Sequence, residues 1–358
     1  MGVIRTIGNY ELLVEPGEPC GISLEESLAA RVGSERGLSK AALMRLLASG
    51  DDYYPISLFW EMLDSCNLSC PFCYIVGHSF NKVVRFPDVH QHLAKLVEAG
   101  VLFCTLTGGE ATIHPDFAEI YEFLKERGVV VEVYTNGAAI TDDIITLFQR
   151  LPPVAVEVSI YTLQNRRFRE IYGFRGDFGA TRVLENVIRL RDAGVNVVCK
   201  TFLTTVTSAD IDEVRAWCAE QGVEHYSSSE ITMAYDGTAL NEYAVPANPS
   251  NARSATGASA VCLPCGTKNY GSAINPAFEI YPCQSIRLPD CRYDLRTMGV
   301  TSALAEMKAF MRKYQSQKIR SIGGSGCATC IAGAAPVRDK NGSILYFADP
   351  SLVDALGN

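Results

Sequence analysis

The chain has 358 residues, 47% hydrophobic and 20% charged, a balance that gives room for one large α/β domain and a smaller appendage. A net charge of −8 argues against a nucleic-acid partner, because phosphate binding needs clustered Lys and Arg; the local run of Arg166, Arg167 and Arg169 reads as a solvated helix face. No basic-then-apolar targeting segment and no bilayer-spanning apolar run is visible, so a cytoplasmic protein without a membrane partner is expected. Thirteen cysteines in such a chain point to metal or redox chemistry rather than to disulfides.

Residues 1–55 form an N-terminal extension: a short hairpin over 4–14, then polar helix-like stretches at 24–31 and 39–48, read as packing over one end of the domain that follows. Across 56–236, short apolar segments at 56–63, 101–106, 129–134, 154–160, 195–202 and 230–234 read as strands covered on both faces. Helix-like stretches at 88–99, 115–127, 142–150, 180–193 and 209–221 lie between them, several ending at a capping glycine. Six strand–helix units predict a parallel sheet with right-handed crossovers, a partial (β/α)6 TIM-like barrel with its chemistry at the C-terminal strand ends. Residues 237–260 read as a linker or loop, 261–335 as a compact cysteine-containing module, and 336–358 as a tail with a short strand at 344–347.

Cys66-Asn-Leu-Ser-Cys70-Pro-Phe-Cys73-Tyr74 directly follows the first strand. Three thiolates on one loop can ligate three irons of a cubane and leave the fourth open. A structural zinc would want four ligands in two pairs, and His78 is the nearest further candidate. The C-x3-C-x2-C spacing with a following aromatic resembles the signature of radical S-adenosylmethionine (SAM) enzymes. The resemblance extends to Gly108-Gly109-Glu110, Thr135-Asn136-Gly137 and Ser159-Ile160-Tyr161 at successive strand ends. It implies that Cys66, Cys70 and Cys73 hold a [4Fe-4S] cluster whose open iron is chelated by SAM. It also implies that Gly108 and Gly109 admit the methionine amine, that Glu110 orients their turn or accepts from that amine, and that Tyr74 lies against adenine. Ser159 and Asn136 would serve the ribose, and Lys200 the SAM carboxylate or the substrate; a snorkelling lysine at the core edge explains Lys200 equally well.

Cys265 and Cys283 flank a stretch that reads as a hairpin turning at Pro276–Ala277, and Cys327-Ala-Thr-Cys330 follows a helical segment. Four thiolates so placed suit zinc or a cubane alike. The hairpin resembles the Twitch domain, the shorter relative of the SPASM domain, with Phe278 standing where that family carries a turn glycine. That resemblance implies a small C-terminal β-hairpin and helix iron–sulfur domain with a second, auxiliary [4Fe-4S] cluster. Cys262 is a candidate catalytic hydrogen-atom donor, a spare ligand or an inert thiol, and Cys291 is ambiguous. Cys104, Cys199 and Cys218 read as core cysteines, and Cys20 has no partner.

The resemblance implies C–H activation through a 5′-deoxyadenosyl radical, fed by a flavodoxin- or ferredoxin-like electron donor. The expected substrate is a precursor peptide made on the ribosome and altered by crosslinking, dehydrogenation or epimerisation. The alternative is a dehydrogenase or epimerase of an aminocyclitol, an aminoglycoside or a similar small molecule. A non-catalytic metal-binding regulator is the third reading. Epimerisation would require a hydrogen donor such as Cys262 on the far face of the substrate.

Overall fold

The computed structural model describes residues 2–7, 10–18, 21–24, 55–75, 83–173, 176–229, 240–245, 271–282, 291–316, 335–338 and 344–347. Cys20, His78, Cys262, Cys265, Cys283, Cys327 and Cys330 lie outside these residues, as do both helix-like stretches of the N-terminal extension.

Strands β1 (Val3–Ile7), β2 (Tyr10–Glu15) and β3 (Gly21–Leu24) form a small antiparallel sheet. The barrel follows with β4 (Ser57–Glu61), α1 (Phe86–Glu98), β5 (Phe103–Thr107), α2 (Phe117–Glu126), β6 (Val130–Thr135), α3 (Asp142–Arg150) and β7 (Val156–Ser159). Next come α4 (Asn165–Tyr172), α5 (Ala180–Asp192), β8 (Val197–Phe202), α6 (Ile211–Gln221) and β9 (Glu224–Ser228). Strands β4 to β9 pair in parallel in chain order, as successive strand–helix units require. Leu58, Trp60, Leu106, Val131, Val133, Val156, Val158 and Cys199 point from these strands into the helix layer and are fully buried. On the opposite, lumen face Phe59, Glu132, Tyr134, Lys200 and Phe202 keep some exposure, while Glu61, Thr105 and Thr107 are buried.

The strand expected at 230–234 lies outside the described residues, and a strand not expected from the sequence, β9 at Glu224–Ser228, starts two residues after the Gly222 helix cap. Its sequence, Glu-His-Tyr-Ser-Ser, is polar because it is the edge strand, so a search for apolar segments passes over it. Helix α4 carries the run of arginines expected on a solvated helix face. Its arginines are solvated and paired, Arg166 with Glu170 and Arg167 with both Glu170 and Asp210.

On the β4 side, β10 (Gly271–Ile274) joins the barrel sheet in parallel, and β11 (Glu279–Tyr281) and β12 (Tyr293–Asp294) continue it antiparallel. The expected hairpin is thus an extension of the barrel sheet to nine strands. Helices α7 (Leu295–Met298) and α8 (Val300–Ser316) follow, and β13 (Ala335–Arg338) pairs with β14 (Ile344–Phe347). Phe278, at the hairpin turn, has φ +63° and is fully buried, with its ring edge-on to Trp60 at 5.9 Å. A wholly buried ring holds the left-handed backbone that a glycine would adopt freely.

The N-terminal sheet covers the far end of the barrel. The buried guanidinium of Arg5 donates to the carbonyls of Val97 (2.6 Å), Val101 (2.8 Å), Arg127 (3.2 Å) and Gly128 (3.2 Å). Carbonyls at the ends of α1 and α2 thereby gain a cationic donor. Within 237–260, residues 240–245 form a turn docked through the N–H of Thr205, which donates to the carbonyl of Tyr243 at 3.0 Å.

Candidate active site

The cysteine loop leaves β4 and is clasped by the turn that ends β5. The N–H groups of Met62, Gly109 and Glu110 donate to the carbonyls of Thr107 (2.9 Å), Leu63 (2.7 Å) and Ser65 (3.1 Å). The glycines are needed for this contact: a Cβ on Gly108 would stand 2.4 Å from the Leu63 carbonyl oxygen, and one on Gly109 2.1 Å from that of Ser65. Their smallness thus serves the loop that carries the cysteines, whatever a ligand also gains from the bare backbone.

Glu110 is fully buried, and its carboxylate accepts from Thr112 N (3.1 Å), Thr112 Oγ1 (2.5 Å), Thr135 Oγ1 (2.6 Å) and Asn136 N (2.6 Å). Four donors fill its acceptor sites. Burial raises its carboxyl above the ordinary range, and these hydrogen bonds oppose the rise. Glu110 thus ties the segment after β5 to the end of β6. Asn136 faces the cysteine loop: its amide donates to Asn67 Oδ1 at 2.7 Å and to Cys66 Sγ at 3.7 Å, and its oxygen accepts from Ala138 N at 3.0 Å.

The loop is tied at a second point, where the N–H of Ser69 donates to the carbonyl of Tyr172 at 2.8 Å. The Tyr172 hydroxyl donates to the carbonyl of Ser159 (3.0 Å) and accepts from the N–H of Tyr161 (3.1 Å), fixing the end of β7. Phe72 of the loop packs edge-on against Tyr161 at 5.3 Å. Tyr74 is half-buried at the end of the described loop.

Burial pushes the Cys66 thiol up to about 12, and the charges of Glu110 and Cys73 add to the rise; Cys70 is raised as well, by burial and then by its two neighbouring thiols. Such thiols become thiolates only when a cation takes up their charge, which is what a metal centre provides. Among the described residues no three Cys, His, Asp or Glu side chains group as ligands of one metal ion, as a zinc with bonds of about 2.3 Å would need. Three thiols on one loop suit a cluster of several irons.

Lys200 lies apart from the cysteine loop's hydrogen bonds. Its Nζ meets Glu157 Oε2 at 3.4 Å and stands over the rings of Tyr134, Tyr226 and Phe202 at 4.8, 5.0 and 5.2 Å. Sequence reading missed Glu157, Tyr226, Asn67, Thr112 and Thr135. Glu157 did leave a signal, a charge inside the strand Val-Glu-Val-Ser, where burial must be compensated. Cys104, Cys199 and Cys218 are buried as expected, and Cys291 joins them. No helix among the described residues is long and apolar enough to cross a membrane.

Residues 60–218 match the family described as the Radical SAM superfamily. The sporulation killing factor maturation protein SkfB of Bacillus subtilis is 28% identical over 202 residues, 56% of this chain and 48% of that protein. The probable GTP 3',8-cyclase of Sulfurisphaera tokodaii is 30% identical over 184 residues, 50% of this chain and 56% of that protein. This chain thus spans about half the length of these curated relatives. In fold it is similar to Streptococcus suis SuiB bound to S-adenosylmethionine, with a TM-score of 0.62 at 15% identity over 92% of this chain and 95% of SuiB. SuiB bound to its precursor peptide SuiA gives 0.57 at 17% identity over 85% and 80% of the two chains. The cysteine loop at the mouth of the parallel half-barrel thus lies within the stretch, residues 60–218, that matches the Radical SAM superfamily.

Proposed function

We propose that this chain is an enzyme that activates an unactivated C–H bond of a ribosomally made precursor peptide. The observation that carries the reading is the trio of Cys66, Cys70 and Cys73 on a loop fixed from two sides, by the Glu110 turn and by Tyr172. These three cysteines would hold a [4Fe-4S] cluster. When bound, that cluster with SAM supplies hydrogen-atom abstraction through a 5′-deoxyadenosyl radical. The chain's own part is positional: Glu110 fixes the turn beside the loop, Asn136 fixes Asn67, and Tyr172 holds the strand end at Ser159. Tyr74 and Ser159 remain assigned to the adenosine part of SAM. Cys265, Cys283, Cys327 and Cys330 are proposed as ligands of an auxiliary cluster, and the electron donor as flavodoxin- or ferredoxin-like.

Two relatives favour the peptide: SkfB is named as a maturation protein, and SuiB was solved with a precursor peptide. The test is mass spectrometry of the peptide encoded beside the gene, incubated anaerobically with reconstituted enzyme, SAM and dithionite. Crosslinking or dehydrogenation lowers its mass by two hydrogens, and epimerisation in deuterated water adds one deuterium. Formation of 5′-deoxyadenosine with every such peptide left unaltered would sink the peptide reading. The similarity to a GTP cyclase favours the second reading, a small-molecule substrate. An epimerase of that kind would lose turnover in a Cys262→Ala variant.

A further inference from the structure

Lys200 and Glu157 sit on the lumen face of adjacent strands with side chains 16% and 11% exposed. Glu157 Oε2 accepts from Tyr226 Oη at 2.6 Å and from Lys200 at 3.4 Å, and Tyr134 also hydrogen-bonds to this carboxylate. Among the described residues the ammonium, which carries three N–H donors, makes one hydrogen bond, a long one to Glu157. Rings of Tyr134, Phe202 and Tyr226 surround it, and Phe59 extends the aromatic wall edge-on to Tyr134 at 6.1 Å. Tertiary structure alone would be served by a fully paired lysine. Among the described residues, the rest of this ammonium meets only the three rings.

The other titratable groups on this face narrow what those donors can meet. Glu61 is buried and accepts from Tyr281 at 2.8 Å. Glu132 accepts from Thr105 at 3.1 Å and stands two residues before Tyr134 on the same face. Glu157, paired with Lys200, repels a carboxylate or phosphate, while Lys200 itself repels an ammonium. A neutral carbonyl oxygen flanked by an apolar side chain fits both charges and the surrounding rings.

We infer that Lys200, held by Glu157 and Tyr226, is the lumen anchor for an amide carbonyl of the substrate peptide, with Tyr134, Phe202 and Tyr226 packing on the adjacent side chain. This rests on the peptide reading above and assigns Lys200 to the substrate rather than to SAM.

Three small probes on one scaffold test it: neutral N-acetyl-L-phenylalaninamide, anionic N-acetyl-L-phenylalanine and cationic phenethylamine. Their affinities for the reconstituted, SAM-loaded protein are measured by ligand-observed NMR, beside the affinity for SAM itself. The neutral amide should bind best. Lys200→Met should weaken it at least about tenfold, the loss of one charge-assisted hydrogen bond. Lys200→Gln, which keeps an N–H donor, should recover most of that loss. SAM affinity should change less than about twofold in both variants, which also shows that they fold. Unchanged amide binding in Lys200→Met, tightest binding of the amine or the acid, or a SAM affinity that falls with the lysine would each overturn the inference. Failure of the peptide reading looks different: amide binding would still depend on Lys200, but no precursor peptide would be altered.

Discussion

The carboxylate of Glu110 accepts the backbone N–H of Asn136 at 2.6 Å, and the side chain of Asn136 in turn donates to Asn67 at 2.7 Å. The ends of β5 and β6 are thereby locked to the loop that carries Cys66, Cys70 and Cys73. A buried carboxylate with four donors is stable only as a set, because losing the acceptor strands every donor at once.

Glu110→Gln keeps the shape but turns one acceptor into an NH2 group facing N–H and O–H donors. The loss should be about 3 kcal/mol, seen as a melting temperature lowered by roughly 4 °C for a chain of this length. Thermal denaturation of the metal-free protein checks this, and an unchanged melting temperature would contradict the network.

Gly109→Ala places a methyl group 2.1 Å from the Ser65 carbonyl oxygen, which must move. Since Ser65 immediately precedes Cys66, the reconstituted variant should lose roughly the four irons of one cubane. Iron analysis against wild type decides the matter. Full retention of iron would show that the turn can give way without disturbing the loop.

Phe278→Gly sets two effects against each other. Glycine relieves left-handed strain of roughly 1–2 kcal/mol, while removing a buried phenyl ring costs about 3–5 kcal/mol. Burial wins, so the variant should be less stable by about 2–3 kcal/mol in urea denaturation. A more stable variant would mean that the contact with Trp60 contributes little.

His114 is buried, with Nε2 3.2 Å from the carbonyl of Val84 and Nδ1 accepting from Asp116 N at 3.1 Å. Burial lowers its pKa below the ordinary histidine range, so the folded protein favours the neutral ring. The unfolded chain then binds more protons than the folded one as pH falls below about 6.5, and stability drops across that window. His92 and His225 are shifted the same way and add to the slope. Melting temperatures from pH 7.5 downward should therefore fall, and His114→Gln should flatten the curve; an identical slope in the variant would remove His114 as a cause.

Much of the barrel was legible because fully covered strands are apolar and their helices end at glycine. The cysteine loop was legible because thiols at fixed short spacing have few other uses. Strand β9 was hidden by its polar edge composition, whereas the arginines of α4 marked a solvated helix face. The two glycines of the β5 turn were marked by sequence, but their contact with Leu63 and Ser65 is tertiary and no local pattern encodes it. The same holds for Asn136, whose pairing with Asn67 spans 69 residues, and for Tyr226, whose bond to Glu157 also spans 69. Phe278 was visible as a departure from the turn glycine; its compensation, a ring buried on Trp60, required the fold.

The central claim is that Cys66, Cys70 and Cys73 hold a cluster that enables SAM cleavage. Iron content and 5′-deoxyadenosine formation under dithionite, measured in wild type and in the Cys66/Cys70/Cys73→Ala triple variant, test it directly. Wild type should hold about eight irons and cleave SAM, and the triple variant about four with no 5′-deoxyadenosine. A triple variant that keeps its full iron content and cleaves SAM at the wild-type rate would contradict the account.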